Sequence, residues 1–329
     1  MIYNKNMKKT LRTFHLIGGA NIDILGKSFE SLRPNDSNPG KVSISFGGVA
    51  RNIAQNLSNI KCPVRLLTVF GDDVLGHQCA QNCVDRDIDI SHSMFIEKTG
   101  SSTYLAIANK DGDMSVAIAD MDILKHLTQS AVTPFLESID ENDVLVVDTN
   151  LEFDMIEYIT LNSSCLMACD PISTTKTTKI IPFLSRLTVF KPNRLEAEVC
   201  CGFAITDDES LMKALEHLRK TGVRDVIITL GVRGGAIACD EGTFRYRHKD
   251  VLVVSATGAG DAFLGAYIAY LHLGSLAALK YGVAAAVATC LCESTVDDKI
   301  SDDYLEKIMR EYPLQLTQIT TQEESVKSW

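Results

Sequence analysis

No apolar run in this sequence approaches the ~18 residues that a bilayer-spanning helix needs, so no helical membrane span is expected. Positive charge is in deficit. Lysine and arginine number 32 against 42 acidic residues, a net charge of −10, which argues against a nucleic-acid groove or an anionic membrane surface as main partner. A local basic pocket for a nucleotide stays possible. Ten cysteines are present, but metal-type spacing is absent: Cys79/Cys83, Cys165/Cys169, Cys200/Cys201 and Cys290/Cys292 form no Cys-x-x-Cys pair. Several lie inside apolar runs, so reduced thiols packing as small hydrophobes are expected. Met1 to Lys9 carries three lysines but no apolar segment of a secretory leader, and Lys327-Ser-Trp329 is no Ser-Lys-Leu peroxisomal address. A cytoplasmic protein with tails at 1–13 and 313–329 is the expectation.

Two common phosphate motifs are also missing. In a Gly-x-x-x-x-Gly-Lys loop, Gly26-Lys27 and Gly40-Lys41 would require glycine where Asn21 and Asn35 stand. Gly258-Ala-Gly260 is followed by Phe263 where a dinucleotide fingerprint needs its third glycine, and it lies near the C-terminal end of the chain. Neither a Walker nucleotidase nor an ordinary dinucleotide-binding dehydrogenase is favoured.

What is present is a regular alternation of apolar runs and helical patterns. Phe14 to Ala20, Val64 to Phe70, Val144 to Val147, Cys165 to Cys169, Leu187 to Phe190 and Val226 to Leu230 read as buried strands of a doubly wound, mostly parallel α/β sheet flanked by helices. A single domain over 14–312 can hold it and bury a sizeable core. Two β segments interrupt the rhythm. Val42, Ile44 and Phe46 alternate with polar residues as in a half-buried strand, and Tyr104–Ala108 and Ser115–Ala119 flank Asn109-Lys-Asp-Gly-Asp113 as a hairpin. Together, about 24–46 and 100–120, they are expected to pair into a small β-sheet lid.

The stretch that organises the chain is Ser255-Ala-Thr-Gly-Ala-Gly-Asp-Ala-Phe-Leu264. The apolar run Val251 to Val254 reads as a strand leading through Gly258 and Gly260 into a helix beginning near Asp261. Bare backbone N–H groups and the positive end of a helix dipole suit a phosphate there. A carboxylate in the same turn would repel that phosphate, unless Asp261 accepts a proton from an attacking hydroxyl. Taken alone, the stretch is as readily a capped turn. Elsewhere, Asn21 and Asp23 stand two apart at the end of the first apolar run, where sugar hydroxyls would be held. Gly47-Gly48 opens another helix, with Asn52 in its first turns and Ile53, Leu57 and Ile60 as its apolar stripe.

Gly47-Gly-Val-Ala-Arg-Asn52 and Thr257-Gly-Ala-Gly-Asp-Ala-Phe263 resemble the two signatures of the ribokinase/phosphofructokinase-B sugar kinases, in the right order. Lys191-Pro-Asn193-x-x-Glu196 and Thr229-Leu-Gly231-x-x-Gly234 are similar to that family's Mg²⁺-phosphate and ATP motifs, and the likeness runs from about Phe14 to Tyr304. The resemblance implies a ribokinase-like fold and ATP-dependent phosphoryl transfer to an alcohol. Asp261 would be the base, with Gly258, Ala259 and Gly260 holding the migrating phosphoryl. Asn21, Asp23, Gly47, Gly48, Asn52 and Asn150 would hold the sugar. Lys191, Asn193, Thr229, Gly231, Gly234 and Thr257 would border the nucleotide, Ala284 and Val287 would wall the adenine, and Glu196 would act on Mg²⁺ through water. An aspartate ionised at its ordinary pKa is expected to suffice as base. Ser255 stands where many members carry an acid of a monovalent-cation loop, which puts activation by K⁺ in doubt.

Asp36–Lys41, Arg51–Leu57, Ala117–Met121 and Lys191–Glu198 further resemble the pseudouridine-phosphorylating branch of the family, which implies phosphorylation of a 5′-hydroxyl. No fused glycosidase domain is expected. Thr103 and Asp120, with Asn38, are the lid residues expected to reach the base. Ribose, adenosine or another nucleoside as acceptor, and a non-catalytic sugar or nucleotide sensor, stay open as alternatives. A homodimer through the lid is expected as well.

Overall fold

The computed structural model describes residues 12–319; residues 1–11 of the expected N-terminal tail and 320–329 of the expected C-terminal one lie outside it. Among the described residues a ten-stranded sheet forms the centre. Seven of its strands are parallel and run, in spatial order, Asp225–Thr229, Val189–Phe190, Leu166–Asp170, Val144–Asp148, Phe14–Ile17, Val64–Leu67 and Ile88–Asp89. Their continuous apolar runs follow from burial on both faces. Val144 and Val146 pack in one layer with the helices Val49–Asn59, Ala259–Tyr270, Ser275–Cys290 and Asp302–Glu311. Leu145 and Val147 point the other way, to Gln129–Glu137, Phe153–Leu161, Arg194–Cys201 and Asp208–Lys220.

Beyond Thr229 the sheet turns antiparallel through Gly235–Cys239, Gly242–Arg247 and Gln315–Gln318. The expected tail 313–329 therefore contributes an edge strand, its backbone pairing with Phe244 to Arg247. The run Val251 to Val254, expected as a strand, forms none. Val251 and Val253 line a cavity while Leu252 is 87% exposed, and Val254 N donates not to a strand but to the Cys290 carbonyl at 2.8 Å. All ten cysteines are free thiols. Among the described residues no helix is long and apolar enough to cross a membrane.

A second sheet of four strands sits apart as the lid, in the order Gly40–Gly47, Asn21–Ser28, Thr103–Ala108, Met114–Asp120. The hairpin stands where it was expected, closed by Asn109 N donating to Asp113 O at 2.9 Å. The first main strand ends at Ile17. Gly18, Gly19 and Ala20 form a break, so Asn21 and Asp23 belong to the lid strand and not to the edge of the main one. Val42 and Ile44, expected half-buried, are 68% and 55% exposed, because the lid is a single layer with nothing packed on that face.

Leu145 is fully buried between its strand and the helical layer it faces. Leu145→Ala is expected to lower stability by about 2–5 kcal/mol through lost burial and a residual cavity. Urea unfolding would show this as a lower midpoint with an unchanged slope.

Candidate active site

The N-terminus of the helix Ala259–Tyr270 lies at the C-terminal edge of the parallel strands, where open α/β sheets bind ligands. Gly258 caps it at φ 80°, and a Cβ there would collide with the Thr295 carbonyl, so only glycine makes this turn. The amides of the first turn have no earlier turn to donate to, and the dipole adds positive potential. Asp261, in that turn, is buried, and Asn52 Nδ2 donates to its Oδ2 at 2.9 Å. Burial, reinforced by the negative charges of Asp170 and Asp148, pushes the Asp261 carboxyl up to about 8, against the opposing pull of Asn52 and Lys191. The expectation of an ordinary carboxylate pKa is thus corrected: desolvation outweighs the donors.

A cavity of about 460 Å³ opens beside Asp261. Asn193, Thr229, Gly231, Gly234, Ala259, Gly260 and Val287, all singled out from the sequence, line it with Lys191 and Glu196. Lys191 Nζ pairs with Asp170 Oδ2 at 2.8 Å in the interior. Burial opposes its charge, yet Asp170, Glu196 and Asp261 together hold its pKa above the ordinary lysine value. Asn193 and Glu196 form a reciprocal helix cap: Glu196 N donates to Asn193 Oδ1 at 3.0 Å and Asn193 N to Glu196 Oε2 at 2.8 Å. Among the described residues no three His, Cys, Asp or Glu side chains are grouped to enclose a metal ion. A Mg²⁺ retaining most of its water, held by Glu196 and nucleotide phosphates, fits this donor set; a protein-caged ion does not.

The apolar end of the cavity is made by Val283, Ala286, Val287 and Cys290, one stripe at helical spacing. Ala284 falls off that stripe into the core, so its expected role as an adenine wall is corrected to packing. Thr257 lies in the turn outside the lining, where its N–H meets Ser255 Oγ at 3.3 Å.

The second half of the site gathers around Gly19. A Cβ on Gly48 would strike the Gly19 carbonyl, one on Gly47 the Asp23 carboxylate, and one on Gly19 would stand 3.2 Å from Asn21 Oδ1 and 3.5 Å from Asn150 Nδ2. Asn21, Asp23, Gly47, Gly48, Asn52 and Asn150 are therefore brought together. Burial pushes Asp23 up to about 6, with Arg51 opposing the rise. Thr103 and Asp120 are not placed with them. The register pairs Asp23 with Ser45 and Tyr104, and Tyr104 with Ala119, whereas Thr103 and Asp120 pair with each other on the face of Ile22. Directly paired side chains share a face, so Thr103 and Asp120 point away from Asp23, and Tyr104 and Ala119 take the positions assigned to them. Asn38 is a turn residue, its side chain bonded to Arg33 N, Arg33 O and Asp36 O.

Four further polar residues belong here. Asp148 and Asp170 each close an apolar run at a strand's C-terminal end, a position from which the sequence could have nominated them. Asp148 is fully buried, which raises its pKa, and accepts from Gly19 N at 2.9 Å and Asn150 N at 2.7 Å. Lys176 Nζ donates to Asn150 Oδ1, a residue no local pattern marks, and Arg51, inside the Gly47–Asn52 signature but given no role there, donates to Asn52 Oδ1. Ile172 lines the cavity at φ 67°, a strained conformation for a β-branched residue.

An open α/β sheet with an anion-binding helix end, a buried carboxylate and an adjoining cavity defines a phosphoryl-transfer type of site. Residues 13–302 match the model of the pfkB family carbohydrate kinases, and the chain belongs to that family. It is 32% identical over 251 residues to a pseudouridine kinase of Escherichia coli, an alignment covering 76% of this chain and 80% of that one. To a guanosine-inosine kinase of Exiguobacterium acetylicum it is 27% identical over 278 residues, covering 82% and 91%. The solved structure of a carbohydrate kinase from Agrobacterium tumefaciens superposes with a TM-score of 0.78 at 25% identity, covering 93% of this chain and 100% of that one. The ribokinase-like fold and the carbohydrate-kinase family stand on these matches together with the sheet topology.

Asp261→Asn is expected to lower kcat about 10²–10⁴-fold while leaving binding of both substrates near wild type. A base works only when ionised, so with the Asp261 pKa at about 8, acceptor kcat/KM should fall about tenfold per pH unit below that point. A pH–rate profile checks this; activity flat from about pH 6 to 8 contradicts the raised pKa, whereas the base role itself is decided by Asp261→Asn.

Proposed function

We propose that this kinase transfers the γ-phosphoryl group of ATP to the 5′-hydroxyl of pseudouridine. The observation that carries the phosphoryl-transfer reading is the buried Asp261 carboxylate at the cavity floor, bonded to Asn52 on one side and set in an anion-binding turn on the other. The substrate assignment rests on the sequence likeness to a pseudouridine kinase. The second-ranked reading is another nucleoside or ribose as acceptor, which the likeness to a guanosine-inosine kinase favours. A non-catalytic sensor would have no use for the base.

In this mechanism Asn21 and Asp23 bind the sugar hydroxyls and turn the 5′-hydroxyl toward Asp261. Asp261 takes the hydroxyl proton onto its carboxylate as the hydroxyl oxygen bonds to the γ-phosphorus and the bond from that phosphorus to the departing ADP oxygen breaks. The amides of Gly258, Ala259 and Gly260 hold the transferred group, whose charge spreads over its oxygens in a loose transition state. Lys191 holds its proton beside Asp170 and adds positive charge where the phosphates would lie. Thr229, Gly231 and Gly234 border the nucleotide chain, and the Val283 to Cys290 stripe takes the base. Mg²⁺, held by Glu196 through water, would neutralise phosphate charge. Closure of the lid, which carries Asp23, over the acceptor excludes water, the competing acceptor.

We further propose that the lid pairs with a second copy of the chain. Val42, Ile44, Val116 and Ile118 stand on one lid face, each more than half exposed, and a twin lid would cover that apolar surface.

Side-by-side kcat/KM values on pseudouridine, uridine, ribose, adenosine and guanosine test the acceptor. Pseudouridine is expected to exceed uridine about ten- to hundredfold, the worth of one buried hydrogen bond. A higher value on ribose or a purine nucleoside refutes the acceptor and leaves the kinase. Asp23→Ala should raise the acceptor KM by about tenfold or more and the ATP KM little, because Asp23 stands outside the nucleotide cavity. Light scattering tests the pairing: Ile44→Lys should convert a dimer into a monomer.

A further inference from the structure

The best-connected polar group that the proposed reaction leaves unused is the Arg51 guanidinium. It lies in the first turn of the helix Val49–Asn59 and is 3% exposed, yet among the described residues it forms no ion pair. Neutral oxygens hold it instead. Nη1 donates to the Phe46 carbonyl at 2.8 Å and to Asn52 Oδ1 at 3.1 Å, and Nη2 donates to Asn82 Oδ1 at 2.7 Å. Its Nε has no partner. Phe46 is the penultimate residue of the lid strand Gly40–Gly47, and Asn82 is in the helix Val74–Val84. Asp23 feels its charge but does not bond to it, so the guanidinium is buried on neutral oxygens alone, a costly arrangement that a helix merely packing would not favour.

The bond to Asn52 fixes a choice that matters for Asp261. A side-chain amide can present either its oxygen or its N–H₂ to a neighbour, and the wrong end would set two oxygens face to face. Because Asn52 Oδ1 accepts from Arg51, its Nδ2 is the end turned to Asp261 Oδ2, at 2.9 Å. On the other side, the Phe46 carbonyl ties the same guanidinium to the lid. We propose that Arg51 is a positioning residue that links the lid to the base, holding the end of the lid strand while it orients Asn52 toward Asp261. The link deepens the phosphoryl-transfer reading and rests on it.

The charged and titratable groups facing the two ends of this link are known. Asp261 faces Asp170 and Asp148 from their strands and Lys191, with Asn52 donating to it. Arg51 faces Cys79 and Cys83 from the helix Val74–Val84, Arg86 beyond it, and Asp23 from the lid. Of these only Asn52 and Lys191 favour the Asp261 carboxylate. Freeing Asn52 to rotate therefore moves the Asp261 titration to higher pH, and removing Arg51 moves Asp23 the same way.

Arg51→Met, Arg51→Lys and Asn82→Ala, each in the full chain, test the link. The Asp261 carboxyl is titrated by ¹³C NMR, and kcat and both KM values are measured with the best acceptor of the panel. In Arg51→Met the Asp261 titration should rise by about half a pH unit or more and kcat should fall about 10–100-fold, with the ATP KM within about twofold. Arg51→Lys should not restore either, since one ammonium cannot reproduce a planar fork reaching three oxygens. Asn82→Ala, at a half-exposed position away from both substrates, should shift both readouts in the same direction by about threefold in kcat. If Arg51→Met does not fold, Asn82→Ala decides. A wild-type titration with kcat within about twofold in both variants overturns the link. The titration needs no acceptor, so absence of phosphorylation on every nucleoside would sink the functional reading while leaving this inference separately measurable.

Discussion

The Lys191 ammonium, set among buried carboxylates, is the constraint on which the site depends. Lys191 stands against Asp170, with Glu196 and Asp261 near enough to hold its proton and Asp148 adding to the negative field on Asp261. Acidic groups outnumber the cations there, Lys191 beside Asp170 and Lys176 near Asp148. Acidic groups crowded in this way raise one another's pKa values, and a cation brought among them would favour their charged forms. The raised pKa values of Asp148, Glu196 and Asp261 all have burial as their largest cause, so the same low dielectric that makes the cluster costly also sharpens its electrostatics.

The fold places these groups without needing the lid. Asp148 and Asp170 end neighbouring parallel strands in register, Asp148 opposite Asp170, and Lys191 follows the next strand. Asp261 comes from the helix packed across them, in the layer that also contains the helix of Asn52. The lid contributes Asn21 and Asp23, and its first two strands join this frame at the Gly18–Ala20 break and at Gly48, backbone junctions that glycine permits. Its outer face is apolar and uncovered, which sets it apart from every strand of the main sheet.

The sequence by itself determined much of this. Continuous apolar runs marked the parallel strands, because burial on both faces leaves no room for polar alternation. Gly258, Gly260 and Asp261 marked the anion turn, since few residues tolerate its backbone and fewer reasons exist for an acid there. Asn21, Asp23 and Asn52 were legible as polar residues at the ends of apolar patterns. Tertiary structure decided the rest. Which lid face Thr103, Tyr104 and Asp120 occupy depends on strand register, and a shift of one residue exchanges the faces. Whether Ala284 or Val283 meets the cavity depends on how the helix Ser275–Cys290 is rotated about its axis, and both are small apolar residues in the sequence. The Asp261 pKa depends on burial and on Asp170, 91 positions earlier in the numbering. Lys176 reaches Asn150, and Arg51 reaches Asn82, only when distant segments meet, so no local spacing announces those contacts; long-range contact, not composition, made them.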